Sequence, residues 1–173
     1  MNETAAHLKA RVLVHATAVA LADATVPFGG HTDGAVLLFG ESGAGKSDVA
    51  LRLIAAGAKL VSDDQTALFV ESGRVFAEAP ANLRGKLEVR GLGILEVDCL
   101  AKSPVILAVM LENCGRIARL PEAGFYTLPA GLEGGGNPPL LTFNASEAST
   151  PAKIAAAAAG FARGGFVGRP LPS

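Results

Sequence analysis

Residues 35 to 47 read Ala35-Val-Leu-Leu-Phe-Gly-Glu-Ser-Gly-Ala-Gly-Lys-Ser47, and this stretch decides the fold. Five apolar residues run directly into Gly40-Glu-Ser-Gly-Ala-Gly-Lys-Ser47, which fits the pattern GxxxxGK[ST] at every defined position. The apolar run is expected as a strand entering a phosphate loop. Behind it, Asp48 to Ala56 carries Val49, Ala50, Leu53 and Ile54 at the spacing of one helix face, and Gly57 is placed to end that helix. Glycine at positions 40, 43 and 45 permits tight turns and close approach, so the backbone N–H groups of Gly40, Glu41, Ser42, Gly43, Ala44, Gly45, Lys46 and Ser47 are candidates to cradle phosphate at a helix N-terminus. Lys46 adds positive charge at the outer phosphates. The Ser47 hydroxyl suits magnesium, because a small hard cation prefers oxygen and bridges nucleotide phosphates.

The next strand, Lys59-Leu-Val-Ser62, ends in Asp63-Asp64. A strand that follows a P-loop helix so closely is expected to complete a βαβ unit with parallel strands, so that both finish on one edge of the sheet. Ligands of open α/β sheets gather beyond that edge. The acidic pair is therefore expected to face the loop, one carboxylate toward a metal and the other toward a substrate hydroxyl.

Composition narrows the remaining choices. The chain has 173 residues, half of them apolar and 18% charged, with a mean hydropathy of +0.38, which fits one globular domain over residues 1–173. Fifteen Lys plus Arg stand against sixteen Asp plus Glu, so the basic excess that nucleic-acid binding requires is missing. Cys99 and Cys114 have neither CxxC spacing nor neighbouring histidines, which argues against structural zinc or disulfides and for a reducing, cytoplasmic setting. The apolar run Pro104-Val-Ile-Leu-Ala-Val-Met-Leu111 falls short of the roughly 20 residues that span a bilayer. It reads as a buried strand, and Leu140 to Phe143 as a shorter one. Residues 66 to 78 read as a hairpin around Ser72-Gly73, 132 to 139 as a mobile loop, and Pro151 to Gly160 as an Ala-rich helix with an N-cap hydroxyl before it. His15 lies in an apolar strand pattern where a structural histidine is the commoner finding, and His7 and His31 read as surface residues.

Four separated pieces together resemble the C-terminal catalytic domain of the bacterial HPr kinase/phosphorylase family. They are Val14-His-Ala16, the loop Gly40 to Ser47, Lys59-Leu-Val-Ser-Asp-Asp64, and Leu87-Glu-Val-Arg-Gly-Leu-Gly-Ile94, and the resemblance spans roughly residues 12 to 112. It implies an α/β fold with a P-loop-containing mixed sheet, flanking helices and a phosphoenolpyruvate carboxykinase-like core. It implies an ATP-dependent serine kinase acting on an HPr-like phosphocarrier of the phosphotransferase system, with reverse phosphorolysis at the same site, in a homo-oligomer that is usually a hexamer. By the same resemblance Lys46 is the P-loop active-site lysine, Asp64 the proton acceptor, Ser47 and Glu88 the magnesium ligands, and His15 an active-site histidine. Asp63 is a further candidate metal ligand. If residues 88 to 90 are extended, Glu88 and Arg90 share a face, where the carboxylate reaches metal and the guanidinium reaches phosphate. The family's C-terminal arginine has no counterpart between Ser146 and Lys153, so phosphorolysis is expected to be weak. The competing readings are a small-metabolite P-loop kinase and a nucleotide-sensing module that binds ATP without turnover.

Overall fold

The structure is a computed structural model that describes residues 10–23, 32–113, 124–166 and 169–170. The apolar run before the loop is β3 (Gly34–Phe39), with Val36, Leu37 and Leu38 fully buried. Such a run, apolar without alternation, belongs to a strand covered on both faces. The loop leads into α1 (Lys46–Ala55), which buries Val49, Ala50 and Leu53 and closes with the Gly57 N–H donating to the Ile54 carbonyl at 2.9 Å. β4 (Lys59–Ser62) follows as expected.

β3 and β4 run in the same direction but do not touch. β2 (Thr17–Leu21) lies between them, antiparallel to both. The expected parallel direction is present, with β2 inserted between the two strands, and the reason is burial: all five residues of β2 are buried, and a strand apolar on both faces takes an interior slot. The functional consequence of the βαβ reading survives, because β3 and β4 still end on the same edge.

The spine of the sheet is β9 (Lys102–Glu112), eleven residues long. One of its edges carries β3 in parallel register, Leu37 opposite Ala108 and Leu38 opposite Val109. Its other edge carries two strands in succession: β6 (Arg74–Glu78) at residues 102 to 104, and β11 (Pro139–Asn144), parallel, at residues 108 to 112. Beyond β6 lie β5 (Thr66–Glu71) and β1 (Val12–Val14), and β10 (Gly124–Phe125) pairs with β11. The expected 66–78 hairpin is present, with Ser72 and Gly73 at φ 50° and 74° forming a two-residue turn between Glu71 and Arg74. A separate hairpin, β7 (Lys86–Val89) and β8 (Gly93–Glu96), docks on the core through fully buried Leu87.

α1 and α2 (Thr150–Ala162) do not flank both faces. Both contribute to the same apolar cluster, with Val36, Leu38, Leu107 and Val109 of the sheet. The opposite face, formed by Ala18, Ala20, Ala35 and Leu37, packs instead against Leu68, Val75, Ala77 and Leu132, so the sheet curls over and covers itself. Leu132, inside the expected loop, is thus a core residue. The N-cap hydroxyl expected for α2 makes no capping bond: Ser149 occupies that position uncapped, and the neighbouring Thr150 hydroxyl donates to the Asn144 carbonyl, tying the helix to β11. A short pair, β12 (Gly165–Phe166) with β13 (Arg169–Pro170), follows α2. Cys114, His7 and His31 lie outside the described residues.

Leu38 is fully buried in the apolar cluster formed with the helices and β9. Leu38→Ala is therefore expected to lower the unfolding free energy by about 2–5 kcal/mol with an unchanged denaturant slope, measured by urea titration.

Candidate active site

The phosphate loop is wedged between α1, β9 and the turn that joins β11 to α2. At Gly40 an added Cβ would come within 2.8 Å of both the Ala44 Cβ and the Leu111 carbonyl oxygen. Gly45, the N-cap of α1, has φ 96°, and a Cβ there would stand 3.0 Å from that of Ala145. Asn113, just past β9, holds the far side of the loop by donating its Nδ2 to the Gly43 carbonyl at 3.1 Å. The first intrahelical bond is Val49 N–H to Gly45 O, so the preceding N–H groups at the helix start remain for a ligand.

Lys46 is 6% exposed and folded onto its own loop. Its Nζ donates to the Gly40 carbonyl at 2.9 Å and the Glu41 carbonyl at 3.2 Å, and stands 3.1 Å from His15 Nε2. On the other side of the imidazole, Nδ1 lies 3.2 Å from Asp64 Oδ1. An ammonium has no lone pair to offer, so Nε2 accepts, and the ring proton sits on Nδ1, where it is donated to the carboxylate. His15 is not within a strand, as its sequence setting suggested. It occupies the bend between β1 and β2, and its side chain is 51% exposed. Asp64 is likewise open, at 65%.

The two acids diverge as expected, but with unequal burial. Asp63 is 5% exposed and receives donors from three elements: the Thr17 hydroxyl on Oδ1 at 2.8 Å, the Ser47 hydroxyl on Oδ1 at 3.1 Å, and the Glu88 backbone N–H on Oδ2 at 2.9 Å. β2, α1 and β7 therefore meet at one carboxylate. Glu88 lies on β7, while Arg90 lies in the turn after it rather than in an extended stretch. Both still line one cavity of about 580 Å³ with Gly43, Lys46, Ser47, Asp63 and Asp64. Arg90 Nη2 stands 3.7 Å from where a Cβ on Gly43 would be. Gly91 and Gly93, at φ 86° and 101°, shape the hairpin turn.

The donor set consists of oxygen alone: the hydroxyl of Ser47 and the carboxylates of Asp63 and Glu88. That chemistry suits a hard divalent cation. Among the described residues no group of three or more His, Cys, Asp or Glu is placed to hold a metal, so a cation here would have to draw further oxygens from its ligand or from water.

Three participants have no motif to mark them: Thr17, Asn113 and the Ala145-Ser146 turn that closes the cavity. Asn113 was accessible in principle, since it ends a parallel strand at the ligand edge. Thr17 is the one hydroxyl in an otherwise apolar run. Lys153 pairs with Glu147 and does not line the cavity, while Arg116 and Arg119 lie outside the described residues. Arg52 of α1 fixes the closing turn, donating to the carbonyls of Glu147 at 3.0 Å and Ala145 at 2.5 Å.

Residues 31–104 match the family model of the HPr serine kinase C-terminal domain. The HPr kinase/phosphorylase of Latilactobacillus sakei is 41% identical over 100 residues, which are 53% of this chain and 32% of that protein. The HPr kinase/phosphorylase of Burkholderia cenocepacia is 40% identical over 97 residues, 54% of this chain and 30% of the relative. The chain thus spans about a third of the length of the curated relatives it matches. The solved structure of the Hpr(Ser) kinase/phosphatase from Coxiella burnetii superposes with a TM-score of 0.65 at 23% identity, covering 83% of this chain and 91% of that one, and the fold is therefore shared. The matched segment contains the phosphate loop, the acidic pair and the Glu88 hairpin, and over it the chain is similar to the HPr serine kinase C-terminal domain.

Proposed function

We propose that the chain is an ATP-dependent protein serine kinase whose acceptor is a seryl hydroxyl of an HPr-like phosphocarrier. The observation that carries this reading is the run Lys46–His15–Asp64, with contacts of 3.1 and 3.2 Å, beside a glycine-rich phosphate loop. A cation for the outer phosphates and a carboxylate for the hydroxyl proton stand one imidazole apart. Asp64 takes the seryl proton as the hydroxyl oxygen attacks the terminal phosphorus, the bond from that phosphorus to the bridging oxygen breaks and ADP leaves, and Lys46 exchanges its loop carbonyls for phosphate oxygens and offsets the charge that develops. Arg90 serves the same phosphate. Ser47, Asp63 and Glu88 are the residues that would hold Mg2+, which when bound would offset the negative charge of the phosphates. His15 keeps Asp64 oriented through Nδ1.

The openness of Asp64 favours an acceptor carried by another protein over a small metabolite, because a metabolite kinase encloses its substrate to exclude water. The homo-oligomer, hexameric by resemblance, belongs to the same reading. The direct test is incubation with labelled ATP, Mg2+ and a purified HPr-like protein, followed by site mapping. Label on a serine supports the proposal. Transfer only to small molecules, or binding without turnover, replaces it with one of the competing readings.

Lys46→Ala is expected to abolish transfer while leaving the circular dichroism spectrum unchanged, because the ammonium's partners are loop carbonyls and His15 rather than the apolar core. Asp64→Asn is expected to retain ATP binding by calorimetry and to lose at least about a hundredfold in kcat, since an amide does not accept the proton. Phosphorolysis of seryl-phosphorylated HPr with millimolar phosphate is expected to run about ten- to a hundredfold slower than the forward reaction, because no arginine lies between Ser146 and Lys153 to offset the added negative charge. Release of unmodified HPr and pyrophosphate at the forward rate counts against that expectation.

A further inference from the structure

We propose that Thr17 is a positioning residue of this site, its single hydroxyl setting both acids of the Asp63-Asp64 pair; the inference rests on the kinase reading above. Thr17 opens β2 and is fully buried. A hydroxyl has one proton and two lone pairs. Here the proton goes to Asp63 Oδ1 at 2.8 Å, and a lone pair faces the Asp64 backbone N–H at 3.4 Å.

The two contacts do different things. On Asp63, Thr17 is one of three donors that fix the carboxylate, so it determines how the acid presents itself to Ser47. On Asp64, it addresses a residue with φ 61°, a left-handed conformation that a side-chain-bearing residue keeps only when its surroundings impose it. That conformation turns the Asp64 side chain out toward His15 while Asp63 turns in. Neighbouring bonds hold the same corner: the Gln65 N–H donates to the Asp63 carbonyl at 2.7 Å, and the Thr66 hydroxyl donates to the Ala16 carbonyl at 2.7 Å. Packing does not explain the hydroxyl, because valine has the same shape and would suit a strand reading Thr-Ala-Val-Ala-Leu.

The test compares Thr17→Val with Thr17→Ser. The valine variant keeps the volume and removes the hydroxyl, and the serine variant keeps the hydroxyl and removes a methyl. In the nucleotide-free protein, the backbone amide resonances of Asp64 and Glu88 are expected to shift in Thr17→Val and to stay near their wild-type positions in Thr17→Ser. Glu88 is the informative reporter, because it lies on another element and shares the Asp63 carboxylate with Thr17 as a hydrogen-bond partner. In the phosphotransfer assay, kcat is expected to fall at least about tenfold in Thr17→Val with KM for ATP within about twofold, and to recover to within about threefold of wild type in Thr17→Ser. Equal resonances and equal kcat in wild type and Thr17→Val overturn the proposal. So does an equal loss in both variants that tracks their melting temperatures, which identifies a packing role. If the wild-type chain transfers no phosphate to serine, the kinase reading fails, and the amide resonances still decide whether Thr17 sets the acidic pair.

Discussion

A buried carboxylate is the constraint on which the site depends. Removing a charge from water costs several kcal/mol, and Asp63 offsets this with hydrogen bonds that contribute about 1.5–3 kcal/mol each when the acceptor is charged. Its donors come from the start of β2, the first turn of α1 and the backbone of β7. Three elements distant in sequence are thereby placed with a precision that apolar packing alone does not provide. The same bonds set the distance between the phosphate loop and the hairpin that carries Glu88 and Arg90.

The sheet supplies the frame for that meeting. β9 is long enough to bind β3 along one edge and to divide the other between β6 and β11, so the sheet can curl without losing its central ladder. Both helices then cover one face, and the curled strands cover the other. The end of β9 and the turn after β11 converge on the phosphate loop from the side opposite the acids. Asn113 and Arg52 secure that wall through backbone carbonyls, so its geometry depends on chain path more than on side-chain identity.

Lys46 has two sets of partners available. Its bonds to Gly40 and Glu41 satisfy a nearly buried ammonium with carbonyl dipoles, and phosphate oxygens would satisfy it with full charges. The exchange favours an anionic ligand without a large movement of the backbone. The imidazole of His15 couples this lysine to Asp64, so the ammonium and the exposed carboxylate do not move independently.

Much of the molecule is written locally in the chain. The apolar run of β3, the glycines of the loop, the helical spacing of Val49, Ala50 and Leu53 and the Ser72-Gly73 turn each impose their structure over a few residues, so the sequence by itself determined the P-loop unit, the hairpin and the edge on which Asp63 and Asp64 stand. The insertion of β2 between β3 and β4, the placement of both helices on one face and the contact of His15 with Lys46 were decided only by the tertiary structure. Each depends on which apolar surfaces bury one another across long separations, and nothing in a local pattern encodes that choice. The same holds for Thr17: its hydroxyl is ordinary in the sequence and acquires its role only because β2 and β4 pair side by side.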